Sequence, residues 1–365
     1  MPLPLREAFT ARALGSRWDN YLQSLGTSPY LGRSFFGTDK KMGLELRFIK
    51  GAKGLPVALK GANFDAKAPL RDAIGFKEIE NSMPFFRESY MVTEKEEQEY
   101  MSYLNAQNDA MTQQILREIM KKPLDLVLGA EVVPERMIWQ LLAPVDGVPK
   151  IDVVVDGGER YVIDYTNDAG AEYKKTHFVE LQDSNTWDNA ATATPIQDLV
   201  DMQDMHEENT GEKLATFAMN KKTWKQFVNA TDTKKQVHGE LAYQAGIMLK
   251  DSDVKAYLLD NYGIEILVYN KMYIGEDKAV HTFIPDGVVT GVSATANMLG
   301  TVWYGTTPEE RSGSLTDGTL SIVNTGVSIY TYTTNHPINT HCVVSEIVLP
   351  SYENMDSVVV MKVSE

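Results

Sequence analysis

The chain changes its hydrophobic period several times, and each change predicts an element. Leu44-Glu45-Leu46-Arg47-Phe48-Ile49-Lys50 alternates apolar and polar residues, the pattern of a half-buried strand. Gly51, Gly54, Pro56 and Gly61 break it, and Val57-Ala58-Leu59 offers a start for a return limb, so 43–80 is expected to form a long, projecting two-stranded loop. A lone hairpin is marginal in water and needs a surface to lie on. The period lengthens at 93. Thr93-Glu94-Lys95-Glu96 fits a capping box, in which the hydroxyl and the carboxylate each accept from the other residue's backbone N–H. Tyr100, Leu104, Met111, Ile115 and Ile119 then recur at helical spacing on one stripe, and Pro123 is expected to stop it. A helix over 93–122 makes a rod of roughly 44 Å at 1.5 Å per residue. A rod of that length suits a spine joining separated parts of a molecule.

A second, proline-flanked helical stretch follows over about 124–142. Two β-rich runs, 151–155 and 161–165, flank Asp156-Gly157-Gly158 and read as a hairpin. Thr194-Pro195-Ile196-Gln197 opens a further helix with a cap, a proline at the first helical position and a glutamine three past the cap. Ile196, Leu199, Val200 and Met205 give its apolar face, and Gly211 suits its end. From there strands and helices alternate: strand 214–219, helix 221–228, helix 253–261 closed by Gly263, and strand 264–269. That alternation predicts an α/β unit over about 211–300. The tail reads as strands at 320–323, 327–333, 342–349 and 358–363. Residues 1–42 hold no sustained period, with Trp18, Tyr21, Tyr30, Phe35 and Phe36 scattered among Gly, Pro and Ser. They suit an extended arm that packs against something else to bury those rings. The sum is a mixed α+β molecule with two long appendages.

At 365 residues and 40.8 kDa the chain exceeds one ordinary core, and two or three domains are expected. A net charge of −15 and a pI near 4.9 speak against a dedicated nucleic-acid binder, which needs a basic face. Cys342, the one cysteine, can form neither an internal disulfide nor a cysteine-cluster zinc site. The first residues carry no signal-peptide core, and no stretch approaches the ~18 apolar residues of a membrane span, so use in a reducing cytoplasm is expected. The charge is uneven. Residues 1–80 hold 13 Lys and Arg against 8 Asp and Glu, a surplus of +5, which leaves −20 on the rest of a −15 chain. A basic arm joined to an acidic body can reach a neighbouring copy, because opposite charges steer association. A solvated basic segment with no partner accounts for the same numbers.

The search for chemistry returns no constellation. His206-Glu207-Glu208-Asn209-Thr210 begins like a zinc-protease helix but lacks the second histidine, and His336 and His341 have no carboxylate pair nearby. The glycines of 51–61 lack the Gly-Lys-Ser/Thr that ends a phosphate loop, and no G-x-S-x-G serine elbow occurs. Asp164–Glu172 resembles a calcium loop only in being acidic, since Thr166 stands where an Asp or Asn ligand is wanted. Asp201 and Asp204 read as solvated charges of a helix, and Cys342 as an inert buried thiol. No catalytic residue, cofactor site or metal site is expected.

The order of elements is itself a pattern, and several segments carry it further. Met83-Pro84-Phe85-Phe86-Arg87-Glu88-Ser89-Tyr90 leads into the spine helix. Asn220-Lys221-Lys222-Thr223-Trp224-Lys225-Gln226-Phe227 and Tyr262-Gly263-Ile264-Glu265-Ile266-Leu267-Val268-Tyr269 mark two steps of the α/β unit. Phe283-Ile284-Pro285-Asp286-Gly287-Val288-Val289 is followed by Thr301-Val302-Trp303-Tyr304-Gly305 and the acidic pair Glu309-Glu310. In this order the segments resemble the major capsid proteins of tailed bacteriophages, the Hong Kong 97 fold, and in particular the family of the lambda capsid protein E. The likeness covers about residues 40–363 and is strongest over 214–310.

The resemblance implies an α+β fold of the Hong Kong 97 type. Its parts would be an N-terminal arm at 1–42, an extended loop at 43–80, a peripheral domain at 81–210 with spine helix 93–122 and hairpin 151–165, an apical domain at 211–310, and C-terminal strands at 311–365 returning to the peripheral domain. It implies an icosahedral shell of hexamers and pentamers around double-stranded DNA, which an acidic wall encloses without specific binding. Arg47, Lys50, Lys53, Lys60, Lys67 and Arg71 would lie at the subunit interface, and Tyr100, Leu104, Met111, Ile115 and Ile119 would pack the spine. Implied partners are other copies, a separate scaffolding protein, a portal and a decoration protein. No cofactor, metal or membrane is implied, and the place is the virion, assembled in the host cytoplasm. Two other readings compete: an encapsulin-type compartment, which shares the fold, and an α+β enzyme, which would behave as a monomer binding a small substrate.

Overall fold

The arm is not wholly extended. A computed structural model describes residues 9–25, 30–50, 77–105, 109–154, 160–244, 246, 248–294, 298–312 and 318–364, and in it Ala11–Leu25 is a helix. Ala11, Leu14 and Trp18 are buried at helical steps. Gly15 lies between them, where a Cβ would stand 2.6 Å from Ser321 Oγ, so the glycine that hides the period in the sequence permits close packing.

Within the expected spine helix over 93–122 the described residues are helical over Glu94–Asn105 and again from Asp109, in a helix that runs to Leu142. The capping box forms: Thr93 N–H donates to Glu96 Oε2 at 2.8 Å, and Glu96 N–H donates to Thr93 Oγ1 at 3.4 Å. Pro123 does not stop the second helix, which runs through it and through Pro134. A proline inside a helix costs ~3 kcal/mol. Val127, Met137, Ile138, Trp139, Leu141 and Leu142 are all buried, at roughly 1.5–3 kcal/mol per large side chain. Burial outweighs both prolines, and the stretch expected at 124–142 is the second half of this helix.

Two compact units divide the chain. The first comprises Met1–Leu46, Glu80–Arg136 and Thr301–Ser351. Its sheet runs in the order Phe36–Lys40, Gly300–Tyr304, Thr340–Pro350, Val327–Thr333, Thr319–Val323. The long strand Thr340–Pro350 also pairs antiparallel with Phe85–Val92, from Thr340↔Val92 to Ile347↔Phe85. Cys342, Val344, Ile329 and Val323 are buried in this unit. The arm helix is tied to the sheet at its first turn, where Ala11 N–H donates to Thr319 Oγ1 and Thr331 Oγ1, each at 3.1 Å.

The second unit comprises Arg47–Ile79, Met137–Gly300 and Tyr352–Glu365. Its five-stranded sheet has the order Phe178–Glu180, Val358–Lys362, Val288–Ser293, Leu214–Met219, Glu265–Val268. The two outer pairings are parallel and the two inner ones antiparallel. Val358–Lys362 therefore joins this sheet, not the other tail strands. Its unbroken run Val358-Val359-Val360-Met361 is buried throughout, as a strand covered on both faces must be. Phe217, Trp224, Phe227, Leu258, Ile266 and Met361 fill the core. The helix Pro195–Thr210 starts on its proline and ends at Gly211, whose φ of 76° needs glycine. Thr194 makes no side-chain cap bond; its hydroxyl reaches Asp198 Oδ1 at 3.5 Å. Lys150–Val154 and Arg160–Asp164 form the expected hairpin ladder, and its Asp-Gly turn lies outside the described residues.

Candidate functional site

Of the expected interface loop, the base is described. Glu45–Lys50 pairs with Lys77–Ser82 in a two-stranded sheet. Leu46 and Phe48 are buried while Arg47 between them is exposed, as the alternation predicts. Lys50 ends the first strand. Lys53, Lys60, Lys67 and Arg71, with Val57-Ala58-Leu59, lie outside the described residues.

The residues of the expected spine stripe differ in burial. Tyr100 and Ile119 are buried and Ile115 is half-buried, whereas Met111 is 40% exposed. Leu104 belongs to Glu94–Asn105. Within Asp109–Leu142 the buried positions include Thr112, Ile119, Met120 and Val127, a phase shifted from that of the expected stripe.

In the first unit, a cluster that sequence reasoning missed seats the arm. Gly32 N–H donates to Glu135 Oε1 at 2.9 Å. Arg33 Nη1 pairs with Glu131 Oε2 at 2.6 Å, and its Nη2 donates to the Glu131 carbonyl at 3.2 Å. The other Glu131 oxygen accepts from Asn324 Nδ2 at 2.6 Å, and Trp18 Nε1 donates to Asn324 Oδ1 at 3.0 Å. One carboxylate thus holds both the arm helix, through Asn324, and the turn at Arg33. Burial, reinforced by Glu131, pushes the Tyr30 hydroxyl up to about 12. The signal was present: Glu131 and Glu135 stand one helical turn apart amid apolar residues, where carboxylates need partners. Nearby, the acidic pair has a structural task. Glu309 takes Arg87 and accepts from Ser345 Oγ at 2.8 Å, and Glu310 pairs with Lys40 Nζ at 2.8 Å. It ties down the strands that carry Lys40 and Arg87.

In the second unit, two of the family-like segments meet. Asn220 caps Lys221–Asn229, its Oδ1 accepting from Thr223 N–H at 2.8 Å. Its Nδ2 donates to Asp286 Oδ1 at 2.6 Å and to the Ile284 carbonyl at 3.3 Å. Lys222 Nζ donates to Asp286 Oδ2 at 2.8 Å, and Gly287 N–H donates to Thr223 Oγ1 at 2.9 Å. Gly287 has a φ of 69°, and a Cβ there would run into Ser364. Helix start and turn are locked by five hydrogen bonds, which explains why both segments need these residue types.

Chemistry is sparse elsewhere. Among the described residues no group of three His, Cys, Asp or Glu could hold a metal ion, and no helix is long and apolar enough to cross a membrane. Asp201 and Asp204 are exposed. Cys342 is buried and its thiol is pushed up to about 12 by burial. The arrangement is suited to holding the parts of its own chain in place.

A family model described as phage major capsid protein E matches residues 20–363. The fold is similar to that of a phage-related protein from Bordetella bronchiseptica RB50, at 11% identity, covering 95% of this chain and 96% of that one with a TM-score of 0.52. It is also similar to a protein described as the capsid protein of a prophage of E. coli CFT073, at 14% identity, covering 79% and 80% of the two chains with a TM-score of 0.51. No curated protein sequence matches the chain.

Proposed function

The chain belongs to the phage major capsid protein E family, and from that premise we propose how a shell-forming capsid protein of this sequence assembles. The family match over residues 20–363 carries the function: the protein is a component of the virion that builds the icosahedral head. Its copies assemble as hexamers and pentamers, with 81–210 serving as the peripheral domain and 211–310 as the apical domain. Double-stranded DNA is the cargo, and a body with −20 beyond residue 80 does not adhere to it, since binding by counterion release needs cations on the protein. A separate scaffolding protein, a portal and a decoration protein complete the head, assembly takes place in the host cytoplasm, and no enzymatic activity is part of this reading.

Arg47, Lys50, Lys53, Lys60, Lys67 and Arg71 engage the acidic body of the next copy. Each exposed pair contributes only ~0–1 kcal/mol. Repetition around a closed shell makes such terms decisive, because every interface recurs by symmetry. Replacing Lys50, Lys53 and Lys60 together by Glu should leave the monomer folded but abolish assembly or demand a higher protein concentration. The wild type should show a salt-dependent assembly threshold, as exposed pairs are screened within ~10 Å at 0.1 M salt. A triple variant that assembles like wild type at low salt refutes the electrostatic contact. Light scattering tests the function itself: particles many times the 40.8 kDa monomer are expected. A monomer only, with and without a scaffolding protein, contradicts it.

A further inference from the structure

The arm seat contains a carboxyl group that the network just described does not use. Glu346, on Thr340–Pro350, is 1% exposed. Neither of its side-chain oxygens has a hydrogen-bond partner among the described residues. The charged groups that act on it come from the arm and from the helix Asp109–Leu142. The arm contributes Arg33, whose guanidinium also interacts with Tyr304 of the strand Gly300–Tyr304. The helix Asp109–Leu142 contributes Glu131 directly, and Glu135 and Tyr30 act on the same guanidinium-centred cluster. Three buried carboxyl groups therefore act on one guanidinium, and Arg33 is already paired with Glu131.

An ionised carboxylate without hydrogen bonds in such a site is far costlier than a neutral acid. Glu131 and Glu135 each accept a bond from the arm, whereas Glu346 accepts none. We infer that Glu346 is a proton-operated latch for the arm: neutral, it lets Tyr30–Phe36 sit in the core, and ionised, it drives that segment out so that water can reach the carboxylate. The atoms balance simply, as one proton leaves the carboxyl for solvent when the seat opens.

The direction of the pH effect follows from linkage. Burial first, then Glu131, raises the Glu346 carboxyl well above the ordinary 4.5, while Arg33 pulls the other way. In the opened seat the group meets water and returns toward its ordinary value. The seat is therefore fully closed below about pH 4.5 and loosens as pH rises toward the raised value, by about tenfold in the opening constant per pH unit.

Hydrogen-exchange protection factors for 30–36, measured on the full, unassembled chain between pH 5.5 and 8.5, read the latch. Wild type should lose protection at about tenfold per unit over part of that range. Glu346→Gln and the similarly sized apolar Glu346→Met should be flat, and more protected than wild type at the alkaline end. Use of both variants guards against one failing to fold, and an infrared band of a protonated carboxyl at neutral pH, present in wild type and absent from the variant, reports the proton directly. A residue with a merely structural role would lower protection at every pH when replaced. Equal slopes in wild type and variants, a flat wild type, or absence of the infrared band would overturn the latch. So would protection that rises with pH, which would mean that ionised Glu346 captures the Arg33 Nε–H, itself buried without an acceptor among the described residues.

Discussion

Asn220→Ala tests whether the meeting of two family-like segments holds the second unit together. Asn220 is 1% exposed, and its amide closes three hydrogen bonds, to Thr223 N–H, the Ile284 carbonyl and Asp286. Removing the cap costs ~1 kcal/mol. Thr223 and Ile284 are fully buried, so their backbone N–H and carbonyl are left without partners, at about 1–3 kcal/mol each before water relaxes into the gap. A loss of about 3 kcal/mol is expected, the low end being favoured because the Ile284 bond is long at 3.3 Å. For a body of 150–250 residues that is a fall of roughly 6–12 °C in Tm. Asn220→Asp should do no better: it keeps the cap acceptor but loses both donors and sets a negative charge against Asp286. Lys222→Ala is the control, since the Lys222–Asp286 pair is exposed on both sides and its loss should not be measurable. The assay is urea unfolding of the unassembled protein followed by tryptophan fluorescence, with Trp224 buried three residues inside the capped helix. An Asn220→Ala variant within about 0.5 kcal/mol of wild type, or as mild as Lys222→Ala, would show that the turn is held by packing alone.

Two more outcomes separate structural claims from sequence expectations. Ile119→Asp, at a buried position of the second spine helix, should give insoluble or unassembled protein, whereas Met111→Asp at its exposed position should assemble normally; equal behaviour of the two would refute the phase assigned to that helix. Cys342 should resist a thiol reagent at neutral pH in the native protein and react at once in denaturant, because burial both blocks the sulfur and keeps it protonated; rapid native labelling would contradict its place in the strand.

What could be read from the residues depended on whether one force acted alone. Leu214–Met219 and Val327–Thr333 occupy the spans that their patterns predict, because apolar runs bounded by turn residues leave few alternatives. The capping box at Thr93 and Glu96 was legible because both partners lie three residues apart in one segment. Asp109–Leu142 was misread because a local rule, proline as a helix stop, met burial that only the folded core supplies. The arm helix escaped notice because Gly15, which its packing requires, looks like a break. Of the candidate spine residues, Tyr100 and Ile119 are buried while Met111 is exposed, because the buried face of Asp109–Leu142 is set by the folded core and not by the spacing alone. Arg33 could not be paired with Glu131 from sequence, nor Glu346 recognised as acting on them, since only the folded core brings these distant stretches together.

Cryo-electron microscopy of the purified full chain, with a scaffolding protein supplied, tests the central claim most directly. Closed icosahedral particles are expected, with the two compact units repeated in six-fold and five-fold clusters of the wall. Images of dispersed monomers, or of open filaments that never close, under conditions where the chain is folded, would contradict the assignment of this protein as the builder of a phage head.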